Sequence, residues 1–374
     1  MSVPSDSYAI CLTGSRVINK RMAMFMEGLQ SSGLGIRVWA LPRGPWVLDK
    51  SERPTIPNRM GRVSLDIGVA PGAKRSLVIC FHWVVLPLAV IIGFIRGGPV
   101  LYDEHDHYEM NTLEGTGGAL RRWLYSRLVR SVHRLCLPCV SLVTCIHMNR
   151  KTLKRHLERW QPSILEIHNY PASEWREFGR TRNPGRKLCF VYIGGVYREK
   201  GVGAAAEAYQ LLSPSERANC ELHVFGEGDA GLLQELRSIA GVRVHRGVTP
   251  AQFKDFTASH LCCGLALLAG TPRYNLVGTN CTKLFEYLAL GIPVIGTRVG
   301  EFPAWIEGKD VGLLIDNDLN AHQLTTQMQT MLSDEPLFRR FSDNAMALMS
   351  SDEMTWEYEW HRICQSGVVG NKAA

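Results

Sequence analysis

Two doubly wound α/β domains are the architecture that this chain of 374 residues predicts. Three observations carry the expectation. Segments with strand and helix patterning alternate from end to end; the alternation breaks once, at a stretch rich in Pro, Arg and Asn; and it then restarts. Such alternation calls for parallel sheets with helices on both faces. Ligands of these sheets sit beyond the carboxyl ends of the strands, so the turns that follow strands are where chemistry is expected.

Taken in order, apolar and β-branched runs predict strands at 8–13, 36–40, 77–81, 100–102, 142–145 and 164–167, with a first helix over 19–32. Residues 77–95, LVICFHWVVLPLAVIIGFI, are long and uncharged enough to be weighed as a membrane span. His82, Pro87 and Gly93 argue instead for a strand, a turn and a helix over about 84–95. The break covers 168–187, and within it 171–187 reads as a linker. Strands recur at 188–193, 221–225, 242–244, 263–268, 294–296 and 311–315. The expected organisation is an N-terminal domain over 1–170, a C-terminal domain over 188–351, and a terminal segment over 352–374.

Composition narrows the function. The chain is 45% apolar, enough for two cores, and its start, MSVPSDSYAICL, has no basic stretch followed by an apolar one. Eleven cysteines without such a signal point to reduced thiols in the cytosol. Cys136-Leu-Pro-Cys139 lacks the second ligand pair that a metal site wants, and Cys262-Cys263 lies in an apolar strand. The net charge of +7 is uneven. Residues 1–170 hold 22 Lys/Arg against 12 Asp/Glu, and the remainder 20 against 23. A basic half suits an anionic partner: nucleic acid, a membrane surface or a phosphorylated acceptor.

Three turns of the second half could hold a phosphate. Gly194-Gly195 leads through Arg198, Lys200 and Gly201 into an alanine-rich helix, joining pliant backbone to cations and a helix start. Gly226-Glu-Gly228-Asp-Ala-Gly231 matches G-x-G-x-x-G, which keeps a nicotinamide-dinucleotide oxidoreductase in view. That match falls on the second βα unit of its domain, however, and His245-Arg246 stands where an acid is expected. The third turn is the helix start at Asn280–Thr282, with Thr282 the expected N-cap, and Gly291 and Pro293 ending the helix. Within that helix Glu286 sits beside Phe285, Leu288 and Ala289. A capping box from Thr282 would put its acid at 285, one residue away, and an ion pair with Lys283 is worth only about 0.2–0.5 kcal/mol. A ligand-binding role is the alternative.

These segments resemble the retaining family 4 glycosyltransferases. The resemblance rests on Gly194-Gly195 through Lys200-Gly201, on Val224-Phe-Gly-Glu-Gly228, on 242–247, and above all on KLFEYLALGIPV, residues 283–294. The first half agrees at Ser15-Arg16-Val17, at Tyr102-Asp-Glu-His-Asp106 and at Asn169-Tyr-Pro171. The resemblance implies a GT-B fold, two doubly wound Rossmann-like domains facing across a cleft, with a C-terminal helix crossing back to the first domain. It implies transfer of a sugar from a nucleoside diphosphate sugar to an acceptor, with no cofactor and no metal. Non-catalytic binding of a nucleotide sugar is the alternative of a different class. Glu286 then accepts the ribose hydroxyls, and His105 and Lys200 complete the expected catalytic set. The implied donor-binding residues are Gly14, Arg16, Gly194, Gly195, Arg198, Gly226, Val248, Thr279, Asn280, Thr282 and Lys283. Two departures stand out. Gly278 occupies the place of a second Glu, and Gly195 the place of an Arg for which Arg198 is expected to substitute.

The acid and imidazole run of 102–109 could also be a metal site, but its Asp103-x-x-Asp106 spacing is not the D-x-D of hard-metal transferases. Residues 120–135, LRRWLYSRLVRSVHRL, place Leu120, Trp123, Leu124, Leu128, Val132 and Leu135 on one side, with Arg122, Arg127, Arg130 and Arg134 mostly on the other. The choice is between a core-facing helix with a solvated basic face and a helix that meets an anionic membrane. The second fits a lipid-linked saccharide acceptor and a peripheral enzyme on the inner face of the cytoplasmic membrane. Nucleic acid is then not an expected partner.

Overall fold

The computed structural model describes residues 8–13, 19–40, 76–104, 118–146, 156–161, 163–180, 187–272 and 274–369. The chain divides into two compact units, Met1–His168 with Glu357–Ala374, and Asn169–Trp356. Each is built on a six-stranded sheet whose pairings are all parallel.

The first unit runs β1 (Tyr8–Thr13), α1 (Lys20–Ser31), β2 (Gly35–Ala40), β3 (Leu77–Cys80), α2 (Leu86–Arg96), β4 (Val100–Glu104), α3 (Ala119–Cys136), β5 (Leu142–Cys145) and β6 (Ile164–Glu166). Its strand order is β2-β1-β3-β4-β5-β6. The long apolar segment is the βα unit its Pro and Gly predicted. Pro87 sits in the first turn of α2, and Gly97, at φ +59°, ends the helix in the left-handed region. Among the described residues no helix is long and apolar enough to cross a membrane.

The end of β4 is held by buried acids. Asp103 receives both Arg21 Nη2 (3.0 Å) and Nε (3.2 Å), and Thr144 Oγ1 donates to it at 2.7 Å. Glu104 receives the Tyr102 hydroxyl and has His133 Nε2 at 3.7 Å, and His133 in turn meets His156 at 3.0 Å. The first two acids of the 102–109 run therefore brace β4 against α1, α3 and β5. His105, Gly14 and Arg16 lie outside the described residues.

On α3 the structure inverts the core-facing reading. Val129, His133 and Cys136 are buried, while Leu120, Trp123, Leu124, Leu128 and Leu135 are exposed. The helix docks through polar side chains: Trp83 Nε1 donates to Tyr125 Oη at 3.0 Å, and His133 reaches Tyr102. That contact rotates the leucine stripe out to solvent.

The second unit begins earlier than the linker reading allowed. After α4 (Glu174–Arg180) it runs β7 (Leu188–Ile193), α5 (Val202–Leu211), α6 (Pro214–Ala218), β8 (Cys220–Phe225), α7 (Ala230–Ser238), β9 (Val242–His245), α8 (Pro250–Ser259) and β10 (Leu261–Ala266). It closes with α9 (Thr282–Ala289), β11 (Val294–Thr297), α10 (Phe302–Ile306), β12 (Gly312–Ile315), α11 (Ala321–Ser333) and α12 (Glu335–Leu348). Residues 171–180 are no linker. Trp175 is buried in the same core as Phe285 and Leu288, and Arg176 donates to the carbonyls of Met349 and Ser350 at the end of α12. Pro and Arg content alone concealed one apolar anchor and one helix-capping guanidinium. Residues 181–186 lie outside the described set.

The strand order β12-β11-β10-β7-β8-β9 reverses between β7 and β10. The crevice of a doubly wound sheet falls at that reversal, beyond the ends of those two strands. The last helix, α13 (Trp356–Gln365), belongs to the first unit. Its Trp360 ring packs on Gly28, stands edge-on to Phe25 at 6.0 Å, and donates from Nε1 to Ser32 Oγ at 3.0 Å.

Replacing Arg21 by Met strands Asp103 as a buried, uncompensated carboxylate. Urea unfolding should show a loss of about 3–5 kcal/mol, part of it recovered when Asp103→Leu is added.

Candidate functional site

The site grows from the end of β7. Gly194 holds φ at +131°, a backbone conformation that side chains resist, and its N–H donates to Phe225 O at 2.9 Å. Tyr192 Oη donates to Gly195 O at 2.7 Å and sets the turn that follows. A side chain on Gly195 would meet the Tyr197 ring and would stand 3.0 Å from Lys200 Nζ. The lysine thus lies directly over a bare stretch of backbone.

The second βα turn packs against the first. A Cβ on Gly226 would run into Gly194 O, and one on Gly228 into Val196 O, whose residues pair as an isolated bridge. The first two glycines of the G-x-G-x-x-G match are therefore consumed by turn-to-turn packing. Gly231 lies two residues beyond Asp229, whose side chain caps α7 by accepting the Leu232 N–H. Gly226 and Gly228 have a purely structural account.

α9 approaches from the other side of the reversal. Tyr287 Oη accepts the Ile193 N–H at 2.9 Å and donates to Val191 O at 3.1 Å, which ties the helix to the last residues of β7. Gly264 on β10 makes room for the Tyr287 ring. One turn earlier, Lys283 is thereby carried to Gly194, whose Cβ would lie 3.6 Å from its Nζ. Lys283 Nζ rests 3.9 Å from the centre of the Tyr192 ring, is fully covered, and has no hydrogen-bond partner among the described residues. Burial, with the Lys200 charge adding a smaller push against the pull of Cys281, brings its pKa down to about 7. An ammonium held this way wants an anion. The N-cap of α9 is Cys281 rather than Thr282 and makes no side-chain cap bond, while the Thr282 and Leu284 amides donate to the carbonyls of Asn280 and Cys281.

The remaining expected residues divide. Glu286 is buried at 5% exposure, three residues and one turn beyond Lys283. Thr279 and Asn280 are held by Asn169, whose N–H and Nδ2 donate to their carbonyls at 3.1 Å each. Val248 packs on the core that includes Phe285 and Tyr287, in a loop fixed by Glu227, which takes Arg246 Nε at 2.8 Å and Gly247 N at 3.1 Å. Arg198 is not brought to the turn. It is exposed and paired bidentately with Glu235 on α7 at 2.7 and 2.8 Å. Tyr192 and Tyr287 were missed by sequence reasoning, since an apolar strand and an apolar helix account for both. The only clue was that Tyr287 adjoins Glu286 and that Tyr192 lies two positions before Gly194.

Residues 173–347 match the family model described as Glycosyl transferases group 1. A curated relative, the lipopolysaccharide glucosyltransferase WaaG of Escherichia coli strain K12, is 26% identical over 197 residues, 50% of this chain and 50% of WaaG. The match thus spans about half the length of that relative. Among solved structures, Anabaena Alr3699/HepE in complex with UDP and glucose has a TM-score of 0.65 at 12% identity, covering 96% of this chain and 99% of its own. WaaG has a TM-score of 0.61 at 17% identity, covering 97% and 100%. The chain is thus similar to group 1 glycosyltransferases over residues 173–347, and its two parallel-sheet α/β domains have the GT-B fold.

The buried lysine sets a pH dependence. Its pKa when folded lies below the unfolded value of 10.5, so between pH 7 and about 10 the unfolded chain binds more protons, and stability rises with pH. Lys283→Met should flatten that rise. It should also raise the melting temperature of the free protein, most strongly at and below pH 7, as followed in thermal melts from about pH 6 to 10.

Proposed function

We propose that this protein is a retaining glycosyltransferase of family 4 that moves a sugar from a nucleoside diphosphate sugar to a lipid-linked saccharide. The observation that carries the donor half is Lys283, a covered ammonium without a hydrogen-bond partner, beside the bare turn of Gly194-Gly195 and near Lys200. A diphosphate would supply the anion that Lys283 lacks, with Lys200 and the start of α9 beside it. The same contacts stabilise the charge that develops on the diphosphate as the bond to the sugar breaks. Two ammonium groups and a helix start perform the neutralisation for which other transferases use a divalent metal, so none is assigned here. Glu286, buried one turn along α9, lies where the nucleoside extends from the diphosphate and accepts its ribose hydroxyls. His105 is proposed to face the donor sugar. The solved complexes of HepE with UDP and with UDP-glucose make uridine nucleotides the first donors to try.

The acceptor half rests on the first unit. Among the described residues, nine of the twelve exposed large apolar side chains fall between Val84 and Leu135, with Phe94 at 88% and Leu135 at 74% exposure. The exposed Arg127, Arg130 and Arg134 and the half-buried Arg122 share α3 with five of them. A cluster of this kind marks an interaction surface, and its charge selects an anionic bilayer. A peripheral enzyme on the inner leaflet, drawing a lipid-linked acceptor from it, follows.

A thermal-shift panel of nucleoside diphosphates and their sugars tests the donor reading, because a ligand of the folded state raises its melting point. One nucleotide and its sugar should stand out, and product analysis of the transfer should show the donor's anomeric configuration kept. Glu286→Ala should weaken nucleoside diphosphate binding by about 2–3 kcal/mol in calorimetry, and an unchanged affinity in a folded variant would remove Glu286 from the site. Arg122, Arg130 and Arg134 changed together to Glu should weaken salt-sensitive binding to anionic vesicles, whereas equal recovery of both proteins would leave α3 without a membrane role.

A further inference from the structure

Glu301 follows β11 and opens α10, yet its carboxylate does not cap that helix. Its backbone is pinned instead to the strand-end segment before α9. Glu301 N donates to Val277 O at 2.8 Å, and Gly300, at φ +51°, lies so close to Val277 O that no Cβ would fit. Phe302, fully buried, anchors the next position. The half-buried side chain of Glu301 therefore has a fixed root, and it turns onto Gly278. A Cβ on Gly278 would stand 2.7 Å from the Glu301 carboxyl carbon and would collide with Oε2. Gly278 is held as firmly, with its N–H on Asn280 Oδ1 at 2.8 Å and its carbonyl receiving Cys281 N–H at 3.0 Å.

The carboxylate thus occupies the volume that a side chain at 278 would fill, on the turn that leads into α9. Gly278 lies three positions before Cys281 and five before Lys283, so the acid stands on the chain segment that enters the proposed diphosphate pocket. In a nucleotide sugar, what adjoins the diphosphate on the side away from the nucleoside is the sugar. A carboxylate accepts from two vicinal hydroxyls at once, and an oriented acceptor beside the anomeric centre fixes that carbon for attack.

We propose that Glu301 is a sugar-binding residue, its carboxylate receiving hydroxyls of the transferred sugar in the place that Gly278 leaves open. The inference rests on the nucleotide-sugar reading of the site. With no side chain at Gly278, the Glu301 carboxylate keeps the position it holds over that turn.

Calorimetry with UDP and UDP-glucose, or with the nucleoside diphosphate and nucleotide sugar that the thermal-shift panel selects, tests it on wild type, Glu301→Gln, Gly278→Glu and the double variant Gly278→Glu with Glu301→Gly. Glu301→Gln, which keeps size, should leave nucleoside diphosphate affinity within about twofold. It should lower affinity for the nucleotide sugar, and donor turnover, by about tenfold or more, as expected for loss of a charged acceptor. Gly278→Glu alone sets a second carboxylate against the first and should lower donor affinity by displacing it, and the double variant should regain most of the lost donor affinity. Donor affinity and turnover of Glu301→Gln equal to wild type would overturn the assignment while leaving the nucleotide site intact. Wild type that binds no nucleoside diphosphate would overturn both readings.

Discussion

The hydroxyl of Tyr287 accepts one backbone N–H of β7 and donates to a carbonyl two residues before it, and α9 is thereby bonded to the strand at the point where it ends. The geometry of the second unit's site follows from that joint. It fixes the height of α9 relative to Gly194, and so the position of Lys283 over Tyr192. Surrounded by fully buried neighbours, Leu284, Phe285 and Leu288, the helix cannot turn to return the ammonium to water. The covering of Lys283 is a stability cost that the packing of α9 sustains, and the lowered pKa is its physical signature. A site that is poorly solvated before its ligand arrives is well placed to hold an anion once water is excluded.

The turns around this joint are laced to one another rather than left as independent loops. Ala269 N donates to Glu199 O, Leu268 N to the Thr297 hydroxyl, and Gly270 N to Asn317 O, so hydrogen bonds tie together the segments that follow β7, β10 and β12 and the end of β11. Glycines at 226, 228 and 300 permit the closest approaches. Rigidity of this kind suits a site whose task is to present fixed charge and fixed acceptors.

Much of this was legible in the sequence, and the failures share a cause. Among the described residues most of the twelve strands show as apolar or β-branched runs, because a sheet covered on both faces leaves little polar alternation, β9 (VRVH) being an exception. Glu286 stood out because a buried acid inside an apolar helix has few structural explanations. What sequence patterning could not supply was pairing. Arg198 looks like a phosphate ligand until Glu235 is found beside it, and G-x-G-x-x-G looks like a nucleotide fingerprint until Gly194 and Val196 are seen filling the space above it. Composition misassigned 171–180 because Trp175 is one apolar residue among polar ones, and one is enough to dock a short helix. On α3 the helical period was right, but the hydrogen bonds of Tyr125 and His133 chose which face turned inward.

The proposed donor site depends on Lys283, whose pKa burial brings down to about 7, gaining charge when a diphosphate binds beside it. Isothermal calorimetry of nucleoside diphosphate binding at about pH 8, in buffers of different ionisation enthalpy, measures that directly. With a free pKa of about 7, the lysine should take up close to one proton per diphosphate bound, and Lys283→Met should take up none. Binding with no proton uptake in wild type, or with the same uptake in the variant, would contradict it.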